Sequence, residues 1–498
     1  LPSASQETPS GAGHPGSVAE KHPISRESRL VVTVLVIAAF VVILNETIMN
    51  VALPRLMAEL SVDATTVQWL ATAFMLTMSV VIPTTGFLLQ RLSTRTVYLL
   101  AMGLFSAGTL LAALAPGFGV LLLARVVQAS GTAIMMPLLM TSVLSLIPVQ
   151  RRGQVMGTVS IVISVAPAIG PTLSGIILQF LSWRFMFLTV LPIALAALLY
   201  GASKLRGAPE GERPRLDALS VILTVPAFGG VVYGLSQLGG EATVGLGPAI
   251  PLAVGGVALV AFVLRQLALQ RSGSPLLDLR AFTYPMYTIA TALLMVGMMA
   301  LFGVIILLPI YLQQLRGLDT LSTGLLLLPG GLVMGLLAPR VGKWFDAVGP
   351  LPLTLTGTSL ITGVLVALSF ITADSPVWIA LALHVVLSLG LALLFTPTFT
   401  SGLNPLPRHL YSHGSAILST LQQVAGAAGT ALLVAVMAAT THAAAGELPA
   451  QDAAVAGFRA AFLVAAGAGA IAIVLAAFLR NRVPEHAPAG ESAPSPAH

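Results

Sequence analysis

The sequence predicts an all-α polytopic membrane protein of fourteen spans, and three observations predict it. The 498 residues are 56% hydrophobic and only 8% charged, where a soluble domain carries about 25% charged residues. Apolar stretches of bilayer length, roughly 20 residues each, recur from about residue 30 to residue 480. Basic residues fall in alternate loops, as a cytoplasmic excess of Lys and Arg requires.

In chain order, residues 1–29 are rich in Pro, Ser and Gly and lack an apolar core with a small-residue cleavage site. They read as a disordered cytoplasmic tail rather than a signal peptide. Seven helical windows come next, at roughly 30–53, 66–89, 96–115, 119–143, 154–180, 185–203 and 217–237. Seven more lie at roughly 248–270, 284–312, 322–340, 351–372, 376–402, 414–440 and 457–479. The charged, Pro- and Gly-containing link from Ser203 to Asp217 reads as a mobile joint between halves. With this count, one set of loops and tails holds 18 Lys and Arg and the opposite set holds 4, namely Arg55, Arg184, Arg316 and Arg459. Both termini are therefore expected on the cytoplasmic side. The same asymmetry accounts for the net charge of +6 without a nucleic-acid partner.

Several chemistries are not predicted. Cysteine is absent and no HxxxH spacing occurs, so neither disulfides nor a metal site is expected. No GxxxxGK[ST] loop occurs; Lys343 follows Gly342 but precedes Trp344. Transport by this chain would run on a gradient rather than on ATP, and no cofactor is expected. No nucleophile and base stand at motif spacing, which argues against an enzyme.

Three ionisable residues lie well inside spans: Glu46 in the first, Arg125 in the fourth and His384 in the twelfth. At about 1.5 Å per residue, Glu46 is about 12 Å from Pro54, Arg125 about 9 Å from Gly119 and His384 about 12 Å from Pro376. All three are thus expected in the outer half of the membrane. A carboxylate at that depth is costly and marks ion coupling or substrate binding. If the three helices adjoin, burial and the guanidinium act in opposite senses on the acid and bring proton exchange within physiological reach. The competing readings are a polar packing device for Glu46, a structural counter-ion for Arg125 and a hydrogen-bonded helix contact for His384.

Pro167, Gly170, Pro171 and Gly175 crowd one span and predict a bend and a close helix approach. Gly153 with Gly157, and Gly331 with Gly335, are small-xxx-small pairs. Met135, Met136, Met298, Met299 and Phe302 offer either an adaptable lining for greasy ligands or a lipid-facing surface.

The motifs LNETIMNVALP (44–54), LLLARVVQASGTA (121–133), APAIGPTLSG (166–175), SWRFMFLTVLP (182–192) and HGSAILSTLQQVAGAAGTAL (413–432) together resemble the fourteen-span drug:proton antiporter branch of the major facilitator superfamily. The resemblance is strongest to lincomycin-resistance and multidrug efflux proteins of that branch. It implies the major facilitator fold, two six-helix bundles plus two inserted central helices, here 30–203 and 284–480 with the linker and insert at 204–270 and a second disordered tail at 481–498. Together with the residues already singled out, it puts proton coupling at Glu46, Arg125 and His384, and substrate contacts at Asn45, Gln128, Met135, Met298, Phe302, Gln422 and Gln423. Conformational roles fall on Gly86, Arg91, Arg95, Gly170, Pro171, Gly175, Gly342 and Asp346. The chain departs from the pattern at Gln90, where an Asp is usual, at Ser93, where a Gly is usual, and at Asn45, the usual acid position, with Glu46 one residue later. GKWFDAVG (342–349) reads as a second copy of the loop motif in the other half and keeps Asp346. The implied function is proton-coupled export of hydrophobic or cationic drugs by a monomer in a bacterial plasma membrane. An accessory envelope protein, export of one endogenous lipid or metabolite, and a non-transporting scaffold or sensor stay open as alternatives.

Overall fold

A computed structural model describes residues 24–205, 216–238, 247–271 and 275–479. The two tails, apart from residues 24–29, and most of the joint expected at 203–217 lie outside the described residues. Among the described residues, fourteen helices are long and apolar enough to cross a membrane. They are α1 (Arg26–Leu60), α2 (Ala64–Arg91), α3 (Thr94–Ala113), α4 (Phe118–Leu146), α5 (Arg152–Phe180), α6 (Arg184–Lys204) and α7 (Ala218–Leu238). The rest are α8 (Ala249–Gln270), α9 (Pro285–Leu315), α10 (Thr320–Val348), α11 (Pro350–Leu368), α12 (Val377–Leu403), α13 (Tyr411–Ala444) and α14 (Ala450–Ala477). The end of the assembly where α1 starts and α14 ends is termed the terminal face.

Local chemistry starts several of these helices. Ser25, Asp63, Ser93, Asp217 and Asp319 each accept a hydrogen bond from a backbone N–H in the first turn of the helix they precede, satisfying donors that a helix start leaves unpaired. Internal prolines do not end the spans: Pro83, Pro137, Pro192 and Pro397 all lie inside helices, as membrane helices tolerate. Two expected boundaries, at 53 and 340, move outward. Helix α1 begins at Arg26 and continues through residue 54 to Leu60, and α10 passes Pro339 and ends only at Gly349, whose φ of 81° is a glycine conformation. The GKWFDAVG motif is therefore mostly helix rather than loop.

Two six-helix bundles form, α1–α6 and α9–α14, and their packing is related by a shift of eight helices. In the first, α3 packs on α4 and α6, α2 on α4, and α1 on α4, α5 and α6; in the second, α11 packs on α12 and α14, α10 on α12, and α9 on α12, α13 and α14. The bundles meet along α5 with α10 and α2 with α13, a symmetric pair of contacts. The insert, α7 and α8, pairs with itself and lies against α2 and α13, with Tyr233 stacked on Trp69 at 5.7 Å between centroids.

The insert is closed by an ion pair: Arg265 Nε and Nη2 donate to Asp217 at 2.7 and 2.6 Å. The hydrogen bond from Arg265 holds the Asp217 carboxyl far below the usual carboxylate range. A carboxyl lowered in this way stabilises the fold above its ordinary value of 3.8, and that contribution is lost as pH falls below it. Asp217→Asn should therefore lower the thermal unfolding temperature by about 3 °C at pH 7. The gap to wild type should narrow below about pH 4, as a fluorescence melt against pH would record.

Candidate functional site

The site is built around α1 and α4. Helix α4 passes between α2 and α3, and Arg125, 1% exposed, is enclosed there. A guanidinium in that position needs partners on every side. It lies over the Phe74 ring of α2, 3.9 Å from the centroid, and Nη1 donates to Gln128 Oε1 at 2.6 Å. Nε reaches the Leu70 carbonyl at 3.4 Å. Gln128 in turn donates to Thr109 of α3 at 2.8 Å. The chain Phe74, Arg125, Gln128, Thr109 thus ties three helices together by cation–π and charge-assisted contacts.

Glu46, half-buried on α1, faces this charge: Arg125 acts on it through space. Among the described residues Glu46 makes no direct ion pair. Because α1 continues to Leu60, Glu46 is about 21 Å from the helix end at about 1.5 Å per residue. The stretch of α1 apolar enough to cross a membrane is Arg26–Met49, so Glu46 lies in the last turn of that stretch. The next residue, Thr47, meets α5, where a Cβ on Gly170 would lie 2.8 Å from the Thr47 Cβ. The crowded glycine motif of α5 is therefore pressed against α1 beside the acid.

His384 takes a different setting. Its Nε2 bonds the Leu327 carbonyl of α10 at 3.2 Å, its Nδ1 has no partner, and neither Glu46 nor Arg125 is among the groups acting on it. The structure brings two of the three ionisable residues together and sets the third on a separate helix contact.

The two bundles are joined at the terminal face. Gln90, in the last turn of α2, donates to His413 Nε2 at 2.5 Å and to Ser412 at 3.2 Å in the first turn of α13. The symmetric contact has Asp346 of α10 accepting the Gln154 N–H of α5 at 3.1 Å. Arg152, 5% exposed, donates to the Leu144 and Ile147 carbonyls at the end of α4. It then crosses to Asn404 at 3.0 Å and the Tyr411 hydroxyl at 3.2 Å. Ser160 and Thr396 add a contact at 2.8 Å deeper in. In the sequence Arg152 is one more basic residue of the cytoplasmic set, because the buried member of the pair Arg151 and Arg152 has no local signature.

Two paired bundles, a helix insert and a shared seam describe a transporter scaffold, and residues 35–430 match the family model described as Major Facilitator Superfamily. The chain belongs to the major facilitator superfamily. Its relatives in that superfamily include a protein of Bacillus subtilis (strain 168) named Uncharacterized MFS-type transporter YcnB, 41% identical over 93% of this chain and 97% of that protein. Lincomycin resistance protein LmrB of the same organism is 40% identical over 82% of this chain and 85% of that one. Among solved structures, the human organic anion transporter MFSD10 superposes with a TM-score of 0.63 at 17% identity, covering 91% of this chain and 100% of that one. The protein is thus a multi-pass major facilitator transporter with bacterial relatives, and not an enzyme.

Other positions that the superfamily pattern singles out take varied settings. Asn45 is 3% exposed with an unpartnered Nδ2, and Gln422 also has an unpartnered buried Nε2. Gln423 is half-buried, and Phe302 lies against Gly426. Two expected substrate contacts are not open to a ligand. Gln128 is 0% exposed and spends both ends of its amide on Arg125 and Thr109, and Met135 is 0% exposed within the first bundle's core. Met298 is buried at 8% exposure. Gly86 lies under His413 and Ala416, Arg91 stacks on Phe87, and Arg95 is exposed. Gly175 faces Leu321 of α10, Gly342 faces Gly153, and Pro171 lies within α5.

Proposed function

We propose that this major facilitator protein exports hydrophobic, often cationic, drugs in exchange for protons, by rocking its two bundles about a central path. The observation that carries the reading is a carboxylate, Glu46, held inside the first span opposite the enclosed guanidinium of Arg125. An acid at that depth persists where it exchanges protons or binds cations. Arg125 would set the balance of its proton, and Gln128, closed to ligands, would position Arg125. Buried Asn45 and half-buried Gln422, each with an unspent amide donor, are the polar groups offered to a substrate, and Phe302 and Gln423 would add adaptable surface. Relatives named for lincomycin and multidrug resistance support the drug class. The 18 to 4 charge asymmetry supports a terminal face in the cytoplasm of a bacterium, and a monomer suffices for the mechanism.

A second reading is export of one endogenous metabolite, favoured by a relative of Clostridioides difficile named riboflavin transporter RibZ, 25% identical over 82% of this chain.

Proton release from purified protein in liposomes on adding ethidium tests the first reading. Wild type is expected to release protons and Glu46→Gln to release none. Equal release from both would make Glu46 structural, and no release from wild type would favour the metabolite exporter.

A further inference from the structure

The two bundles meet along two seams that the eight-helix shift relates, and the seams are closed in different ways. On the seam of α5 and α10, a Cβ on Gly157 would lie 2.9 Å from the Pro339 Cα, and a Cβ on Gly342 would lie 2.8 Å from the Gly153 carbonyl carbon. Backbone rests on backbone there, as small residues permit. On the seam of α2 and α13, a Cβ on Gly86 would meet the Ala416 Cβ and the Ser412 carbonyl oxygen only at 3.5 Å, an ordinary contact distance. The glycines of α13 turn into its own bundle instead: Gly414 lies under Leu406 and Tyr287, Gly426 under Phe302, and Gly429 against the Met299 backbone. Side chains, not backbone, therefore hold the second seam, with Gln90 reaching Ser412 and His413 at its terminal end.

The seams differ also in what covers them. On the side of α5 and α10, Ile176, Leu325 and Leu336 are exposed at 48, 50 and 68%, so that seam faces lipid directly. Helix α7 lies against both α2 and α13 and straddles the other seam. At the π-helical turn Val225–Gly229 of α7, Gly229 is buried, and a Cβ on it would lie 3.5 Å from Val80 Cγ2 of α2. One turn further on, Tyr233 stacks on Trp69 of α2. Helix α8 closes over α7 from outside: Phe262 meets Phe228 edge-on at 5.4 Å between centroids, and a Cβ on Gly230 would lie 3.0 Å from the Gly255 Cα. The outer side of α8 is apolar and exposed at Val257, Val260 and Leu264.

This cover is fastened at the terminal face. Gln266 of α8 is fully buried; it accepts the Leu276 and Leu277 N–H groups at 2.8 and 3.2 Å and donates to Ser220 of α7 at 2.8 Å. Asp217 and Arg265 close the same end. Residues 276 and 277 lead into α9, so the insert is tied to the chain of the second bundle. Its contacts with α2 at Val80 and Trp69 are apolar and aromatic, and apolar attraction is not directional. The insert can therefore stay seated while α2 shifts beneath it.

We propose that α7 and α8 form a lateral seal, which keeps bilayer lipid out of the seam of α2 and α13, while the seam of α5 and α10 seals itself through glycine. Alternating access moves one bundle against the other. A seam held by side chains loosens in that motion, and acyl chains, as apolar as the helix surfaces they would separate, meet no hydrophobic barrier to entering it. A helix laid along the seam removes their access. The inference holds whichever compound the transporter carries.

An apolar diazirine dissolved in the bilayer and activated by light adds a carbene to the residues that lipid reaches, and mass spectrometry of the full-length protein in liposomes maps the adducts. In wild type, Leu336 of α10 and Val257 of α8 are expected to be labelled and the stretch of α2 around Val80 to be spared. Gly229→Phe with Tyr233→Ala removes both of these contacts of α7 with α2 and changes no residue of either bundle. In that variant, labelling around Val80 is expected to rise from background to the level of Leu336. Val257→Phe, on the lipid side of α8, is expected to keep the wild-type pattern. Wild-type protein labelled around Val80 as strongly as at Leu336 overturns the seal, because lipid already reaches the seam. A spared Val80 in the double variant overturns it equally, because the seam then closes without its cover. If the double variant fails to fold, Tyr233→Ala decides alone: labelling of Trp69 must rise above wild type, and an unchanged Trp69 overturns the seal.

Discussion

Arg125→Leu is expected to reduce transport by at least about a hundredfold and to lower stability by about 3 kcal/mol, the range for breaking a buried charged network. Leucine fills part of the volume but leaves Gln128 Oε1 and the Leu70 carbonyl without their donor and strips the cation from the Phe74 face. Each buried acceptor left alone costs about 1–3 kcal/mol. Glu46 also loses the positive charge that faces it. These are separate consequences, and Arg125→Lys separates them. Lysine restores a charge near Glu46 but is a compact ammonium that cannot both stack on Phe74 and hold Gln128 in a planar fork. If the charge opposite Glu46 is what matters, Lys recovers most transport while the melting temperature stays low. If the tie between α2, α3 and α4 is what matters, Lys recovers neither. Wild-type transport by Arg125→Leu would remove Arg125 from the mechanism. Liposome uptake and detergent melting curves on the three proteins decide among these outcomes.

Gly342→Leu is expected to be as damaging for a different reason. Along the seam of α5 and α10, a Cβ on Gly342 would lie 2.8 Å from the Gly153 carbonyl carbon and 3.1 Å from the Gln154 Cα. A Cβ on Gly157 would lie 2.9 Å from the Pro339 Cα. Backbone stands on both sides, so no side chain can yield, and the only relief is for the bundles to separate. Each bundle keeps its own packing, which makes this a substitution that spoils closure rather than folding. The expected result is a transport rate reduced by at least about a hundredfold, with the melting temperature of the bundles little changed. The distance between spin labels at Thr94→Cys and Ala347→Cys, exposed on the two bundles at the terminal face, should also shift wholly to a longer value. A wild-type distance distribution in this variant would show that the seam need not close so tightly.

Hydropathy and charge alternation were enough to find the fourteen spans seen among the described residues, because a bilayer forces each span to satisfy its own backbone within one stretch of chain, while the resemblance to the superfamily placed the insert between two halves. The same local logic singled out Glu46 and Arg125, since an ion inside an apolar run is visible without knowing its neighbours. It drew the first and tenth windows only to 53 and 340, short of the helix ends at Leu60 and Val348, because a helix runs on past the apolar stretch that marks it.

What a side chain faces was decided only by tertiary structure. His384 looks as coupled as Glu46 in the sequence, yet one bonds a carbonyl of α10 and the other faces Arg125. Gln128 looks like a ligand contact until Thr109 and Arg125 occupy both its ends. Arg152 and Asp278 look like two more loop charges, and both are buried at the terminal face, one bridging the bundles and the other spent on Arg280 and Gln270. A helix turns its side chains by about 100° per residue, and the partner at each bearing comes from helices far away in the chain. The sequence by itself determined how many helices cross the membrane and which ions they carry inward, while the packing of those helices determined which ions meet.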